Sequence, residues 1–196
     1  ALEAMKTHPQ IHAQIAVADS LLLTKADLST AEEREATERC VRQISPRAQV
    51  LPTSRGEVPS NMIFGERILD PSASPRQMRQ SADRLFASTE ASQHEGILSF
   101  VVTRDQPMSY HTLDTFLRAL CSYRGEDLLR VKGLVLLRGS EDRPTVIDGV
   151  QSVMHPPTKL RRWPSRERRT QLVFITRKVT KEDVENLLQG IESGFR

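Results

Sequence analysis

The run Leu21-Leu22-Leu23 stops at Thr24-Lys25-Ala26-Asp27, and this junction restricts the fold more than any other stretch of the chain. A short apolar run bounded by turn-forming residues reads as a buried parallel strand, although periodicity alone also allows a segment of buried helix. A helix is expected next, because Thr30 can cap its N-terminus and Glu33 stands three residues on, the spacing of a capping box. Ala36, Cys40 and Ile44 give that helix a modest apolar face, and Ala48-Gln49-Val50-Leu51, after Pro46, is a second short strand. Strand, helix and strand in this order make a unit of a parallel α/β sheet.

A TKxD or NKxD tetrapeptide at the end of such a strand is the guanine-selecting element of P-loop GTPases. The residue types explain the selectivity. An ionised carboxylate, here Asp27, accepts hydrogen bonds from both the ring N–H and the exocyclic amine of guanine, a pair that adenine does not offer in that arrangement. Hydrogen bonds to charged groups contribute about 1.5–3 kcal/mol each, enough to separate the two bases. The aliphatic stem of Lys25 can lie along the base while its ammonium meets ribose or backbone oxygens. Thr24 keeps a hydroxyl to brace the loop but has no amide to donate. The plainer alternative for the tetrapeptide is a solvated strand-to-helix loop with a helix-friendly Asp27.

Residues 70–95 are rich in Ser, Pro and Gln and poor in large apolar groups, so they read as a linker, with Leu85-Phe86 as a docking point. Beyond it, Ile97–Thr103 is strand-like. Ser109 can cap a helix whose Leu113, Phe116, Leu117, Leu120 and Cys121 fall on one stripe. Strands are expected at Leu129–Leu137, Thr145–Gln151 and Gln171–Thr176. A last helix follows, with Thr180 as cap, Asp183 three residues later, Val184, Leu187, Leu188 and Ile191 on one face, and Gly190 weakening its final turn. The fold class is therefore α/β and α+β: a partial P-loop-type parallel domain at residues 1–69, the linker, and at 96–196 a small, mainly antiparallel sheet covered on one side by two helices.

Composition agrees with a water-soluble domain of ordinary kind. The 196 residues are 27% charged and 38% hydrophobic, and no run is long enough to cross a bilayer. Cys40 and Cys121 lie too far apart to suggest a disulfide scaffold, which fits a reducing cytoplasm. A net charge of +3 does not by itself point to nucleic acid. The chain begins without an initiator Met, in what reads as the middle of a helix, so a fragment is expected.

Several blocks in series resemble the CobW-type GTPase family. QIAVADSLLLTKADL looks like its run into the guanine motif, and SPRAQVLPTSRGEV is similar to the following strand and the short loop over the base. ILSFVVTRDQPMSYHTLDTFL, GEDLLRVKGLVLL, PTVIDGVQSV and RTQLVFITRKVTKEDVENLL look like the family's C-terminal domain in order and spacing. The resemblance implies a GTP-binding protein that delivers zinc, cobalt or a similar metal to a client metalloprotein. Carried over by position, Lys25 and Asp27 contact the base, Thr24 braces it, and Thr53, Ser54 and Arg55 sit nearby.

The family's Gly-rich phosphate loop, its Cys-x-Cys-Cys metal motif and its acidic Mg²⁺ position find no match among these residues. The resemblance therefore implies weak guanine nucleotide binding and no bound GTP, Mg²⁺ or metal for this chain alone. A non-enzymatic interaction module is the alternative. A parallel sheet with open edges makes homo-oligomerisation an option.

Other candidates have plainer readings. His8 and His12, four apart on a helix, have no third ligand and read as surface histidines; His155 reads as a loop residue. Cys40 and Cys121 read as buried small hydrophobes. Lys159–Arg169 holds six basic residues against one acidic, with Trp163 among them. Structural or partner-docking roles are favoured for it over nucleic acid. Arg130, Lys132 and Gly133 resemble a family block that faces either the nucleotide domain or solvent.

Overall fold

The computed structural model describes Met5 and residues 9–45, 48–58, 74, 76, 78–80, 82, 92–94 and 96–194. The readings for His8 and Leu85-Phe86 lie outside the described residues. In the first part, helix α1 (Pro9–Val17) leads to strand β1 (Ser20–Leu23), helix α2 (Ala31–Ile44) and strand β2 (Gln49–Pro52). β1 and β2 pair in parallel, with Leu21 opposite Val50 and Leu23 opposite Pro52. α2 begins on the expected capping box: Thr30 N–H donates to Glu33 Oε2 (2.9 Å) and Glu33 N–H donates to Thr30 Oγ1 (3.2 Å).

The second part is an antiparallel sheet of seven strands among the described residues. They are β3 (Ser92–His94), β4 (Ile97–Arg104), β5 (Leu128–Val135), β6 (Thr145–Val150), β7 (Val153–Met154), β8 (Thr158–Lys159) and β9 (Thr170–Arg177). The spatial order is β3-β4-β9-β5-β6-β7, with β8 on the other part of β6. The late strand β9 is thus inserted between β4 and β5, with Phe100 opposite Phe174 on one side and Val131 opposite Phe174 on the other. Helix α3 (Tyr110–Arg124) follows β4, and helix α4 (Lys181–Gly194) follows β9.

Alternation along the central strands sends side chains to two apolar layers. Phe100, Val102, Val131, Leu172 and Phe174 pack under α3 and α4, against Leu113, Phe116, Leu120, Val184 and Leu188. Phe174 stacks on Phe100 with centroids 5.5 Å apart and meets Phe116 edge-on at 6.4 Å. Burying one such side chain contributes about 1.5–3 kcal/mol, so this layer dominates the stability of the second part. The two helices on one face were expected.

What pattern reasoning did not place is the cover on the opposite face. There Ile97, Leu129 and Ile175 join Met5, Ile15, Ala16, Val41 and Ile44 of the first part in one cluster. Val101, Leu134, Val146 and Val173 join Leu160, Trp163, Met78 and Ala82 in another. Met78 and Ala82 belong to the segment read as a linker. Burial on both faces accounts for the nearly unbroken hydrophobic lettering of β4, β5 and β9.

Gly133 marks the closest approach within the sheet. A Cβ there would collide with the Gln171 carbonyl oxygen and stand 2.9 Å from Leu172 Cα. β5 and β9 can pair at this register only with glycine at that position.

Candidate functional site

Because β1 and β2 run in the same direction, their C-terminal ends open onto one surface. Thr53 N–H donates to Leu23 carbonyl oxygen (2.8 Å), and Ala26 N–H donates to Thr53 carbonyl oxygen (3.0 Å). These two bonds splice the loop Thr24–Asp27 to the loop Thr53–Arg55, so all six residues singled out from the sequence share one patch. The edge beyond the carboxyl ends of parallel strands is where α/β sheets bind their ligands.

The first loop is shaped by local strain and a long-reaching cation. Lys25 sits in the left-handed region (φ 58°, ψ 36°), and Ala26–Leu28 continue as one 3₁₀ turn. Arg34 Nη1 donates to the carbonyl oxygens of Ala26 (2.8 Å) and Ser29 (2.6 Å), and Ser29 Oγ donates to Ala26 carbonyl oxygen (3.2 Å). Arg34 escaped the sequence reading. The signal that marks it is a cation in the opening turns of a helix, where the dipole disfavours positive charge. The guanidinium is there because it serves the loop rather than the helix.

Thr24, Lys25 and Asp27 are exposed, and none of their side chains has a hydrogen-bond partner among the described residues. The Asp27 carboxylate therefore presents its full acceptor capacity outward. Thr53 is only 5% exposed, and its Oγ1 is buried without a partner. An orphaned buried hydroxyl is costly in a finished fold, and this one lies at the splice between the two loops, whose backbone bonds run through Thr53. Arg55 (φ 54°) and Gly56 (φ 76°) both turn left-handed, which folds the second loop back sharply. The exposed residues present thus fit a guanine base: an anionic acceptor in Asp27 and a flexible cation in Lys25. Among the described residues no group of three His, Cys, Asp or Glu side chains is placed to hold a metal ion.

The start of β1 is tied to the antiparallel sheet. Asp19, directly before the strand, accepts from Lys132 Nζ at Oδ1 (2.9 Å) and from Arg130 Nη2 at Oδ2 (2.8 Å). Asp148 on β6 completes the group, at 3.2 Å from Arg130 Nη2 and 3.6 Å from Lys132 Nζ. Arg130 Nη1 also donates to Val17 carbonyl oxygen (2.7 Å). Of the two readings left open for Arg130 and Lys132, the one facing the first part is correct, and the Lys132 side chain is only 5% exposed. β5 is an interior strand with both faces covered, and two carboxylates offset the cost of burying the two cations.

The remaining candidates divide. His12, read as a surface residue, is instead 4% exposed and packs inside the first part, because α1 is sandwiched against α2 and β5. Cys40 and Cys121 are free thiols and only partly buried, and burial raises the Cys121 thiol above its usual pKa. Trp163 is a structural residue: its ring is buried in a core cluster and Nε1–H donates to Glu141 carbonyl oxygen (2.8 Å). No described helix is long and apolar enough to cross a membrane.

Comparison with known proteins adds to this geometry. The model of the CobW/HypB/UreG nucleotide-binding domain matches residues 2–52, and that of the Cobalamin synthesis protein cobW C-terminal domain matches residues 97–192. The zinc chaperone YjiA of Escherichia coli (strain K12) is 25% identical over 191 residues, covering 96% of this chain and 57% of its own length. Two solved structures share the fold at 23% identity: a Zn(II)-bound triple mutant of YjiA GTPase (TM-score 0.67) and Zn(II)-bound YjiA GTPase from E. coli (TM-score 0.66). Each match again covers 96% of this chain and 57% of the other. The chain thus spans a little over half the length of the relatives it matches.

Proposed function

Because the chain belongs to the CobW-type GTPase family, we propose that it works in a GTP-binding metallochaperone and that its own first part reads the guanine base. In this reading residues 1–69 belong to the nucleotide domain, 70–95 link, and 96–196 form the C-terminal domain. Zinc is the favoured cargo, after the zinc chaperone it resembles, with cobalt as the alternative, delivered in the cytoplasm to a client metalloprotein. GTP would be held together with Mg²⁺.

One observation carries the reading of the site: the Asp27 carboxylate has no partner among the described residues and stands on a loop spliced by backbone hydrogen bonds to the Thr53–Arg55 loop. Asp27 accepts from the ring N–H and exocyclic amine of guanine, and the Lys25 stem covers the base. Thr24 braces the loop, Thr53 splices it to the second loop through its backbone, and Ser54 and Arg55 border the base.

Exchanging the carboxylate for an amide tests this by chemistry rather than by loss. Xanthine carries a carbonyl oxygen where guanine carries the exocyclic amine. Asp27→Asn should therefore turn preference from guanine to xanthine nucleotide, by about tenfold or more in the ratio of affinities. Ligand-observed NMR with GDP and XDP suits weak binding. An unchanged GDP-to-XDP ratio would remove Asp27 from the site.

The alternative, an interaction module that needs no nucleotide, is favoured by the cationic loop between β8 and β9.

A further inference from the structure

Between β8 and β9 the chain presents positive charge on a pinned backbone. Leu160 is buried and its N–H donates to Pro144 carbonyl oxygen (2.9 Å). Trp163 is fixed by its ring and its indole N–H, and Pro164 beside it is buried. At the far end Thr170 is buried, and its Oγ1 accepts from Leu136 N–H (3.0 Å). Six residues between these anchors are exposed, and four of them are Arg161, Arg162, Arg166 and Arg168, beside Ser165 and Glu167. None of the four has an ion pair or hydrogen bond among the described residues.

This contrasts with four cations on the helices that are matched on their own surface: Arg39 with Glu35, Arg42 with Glu38, Arg118 with Asp114 and Lys181 with Glu185. The one carboxylate of the loop, Glu167, is engaged by Arg169 (3.4 Å). Four uncompensated guanidiniums on one loop repel one another, and the fold gains nothing from them. A guanidinium is weakly hydrated and forked to meet a carboxylate with two parallel hydrogen bonds. Because the loop is already anchored, binding would order few additional bonds.

We propose that this loop is a docking surface for an acidic segment of a partner protein. Arg168 lies seven positions beyond Arg161, so an extended partner segment of up to about 23 Å would span the row. Nucleic acid fits less well. Single strands are held by stacking on exposed aromatics, and the one aromatic of the loop, Trp163, is only 8% exposed. No helix or strand lies between Lys159 and Thr170 to enter a duplex groove. The inference does not depend on nucleotide binding by the first part.

The test uses the whole chain and a fluorescein-labelled decaglutamate peptide, followed by anisotropy at low salt. A variant carrying Arg161→Gln, Arg162→Gln, Arg166→Gln and Arg168→Gln should bind about tenfold more weakly or worse. A control with the same change in net charge, Arg39→Gln, Arg42→Gln, Arg118→Gln and Lys178→Gln, should lose less than about threefold. Both sets are exposed, so each variant should unfold in one cooperative transition. The loop variant should do so at the parent's temperature, and the control slightly below it because three i,i+4 pairs are lost. Equal losses in the two variants would overturn the proposal. So would a thymidine oligonucleotide of equal charge that binds more tightly than the peptide and depends on the same four arginines.

Discussion

Lys132 Nζ lies 2.9 Å from Asp19 Oδ1, an ion pair that joins an interior strand of the antiparallel sheet to the residue preceding the strand that leads into the Thr24–Asp27 loop. The two ends of this pair differ in setting: the lysine is 5% exposed and the aspartate 45%. That asymmetry gives the substitutions an order. Asp19→Ala leaves a buried ammonium with only Asp148 at 3.6 Å, and should destabilise by about 2–3 kcal/mol, below the full cost of breaking a buried pair. Lys132→Met leaves a carboxylate that water can reach and that Arg130 still pairs, so it should cost less than Asp19→Ala. Urea unfolding of both variants checks the order.

Arg34 should prove to be the post that holds the Thr24–Asp27 loop in shape. Removing its two hydrogen bonds in Arg34→Ala should speed amide exchange at Leu28 and Ser29 and lower stability by about 1–2 kcal/mol. Arg34→Lys keeps donors enough for both carbonyls but on a shorter, differently shaped side chain, so it should fall between. Hydrogen exchange resolved by residue is the measurement, with amides of β9 as an internal standard that stays unchanged.

Two glycines should respond in opposite ways. Gly133→Ala drives a Cβ into the backbone of β9, and overpacking of this kind should cost about 2–3 kcal/mol, since backbone rather than a side-chain tip must move. Gly190 is exposed within α4, and a Cβ there meets nothing within 4 Å. Gly190→Ala should stabilise by about 0.5–1 kcal/mol. Thermal unfolding of the pair decides both.

The cap of α4 should give a measurable acid dependence. Asp183 accepts from Thr180 N–H (2.8 Å) and from Thr180 Oγ1–H (2.8 Å). The backbone bond first and the hydroxyl bond second hold its carboxyl below the ordinary aspartate range. A carboxyl whose folded pKa is depressed contributes stability above its unfolded pKa and loses it as pH falls through the folded one. Unfolding temperature should therefore drop more steeply with acidification below the ordinary aspartate range in the parent than in Asp183→Asn. Parallel slopes would rule the cap out as the cause.

How much of this was legible in the sequence depended on distance along the chain. The capping boxes at Thr30–Glu33 and Thr180–Asp183, the Ser109 cap and the β1-α2-β2 unit are local, and they were read correctly because each is specified by a few neighbouring residues. The place of β9 between β4 and β5 was not readable, since strand neighbours separated by scores of residues leave no short-range trace. Lys132 shows the same limit at the level of one residue. Alternation put Arg130 and Lys132 on one face of β5 but could not say what covers that face, and the answer was an aspartate 113 residues upstream. For His12 the lack of a third ligand argues against a metal site but says nothing of burial, and packing of its helix against α2 and β5 removes it from water. The six site residues lay within two short loops, so their identities were readable. That the loops are joined through Ala26 and Thr53 was not.

Helix α1 has nine residues and no basic residue in its last turn, and isolated helices of that length are marginal in water. Its terminal carbonyl at Val17 is met by Arg130, from a strand more than a hundred residues away. The first part of the chain therefore borrows its end-cap from the second. A cut placed anywhere between them would leave that helix uncapped, with one side of its apolar packing gone, so neither half should be expected to keep its shape as a separate product.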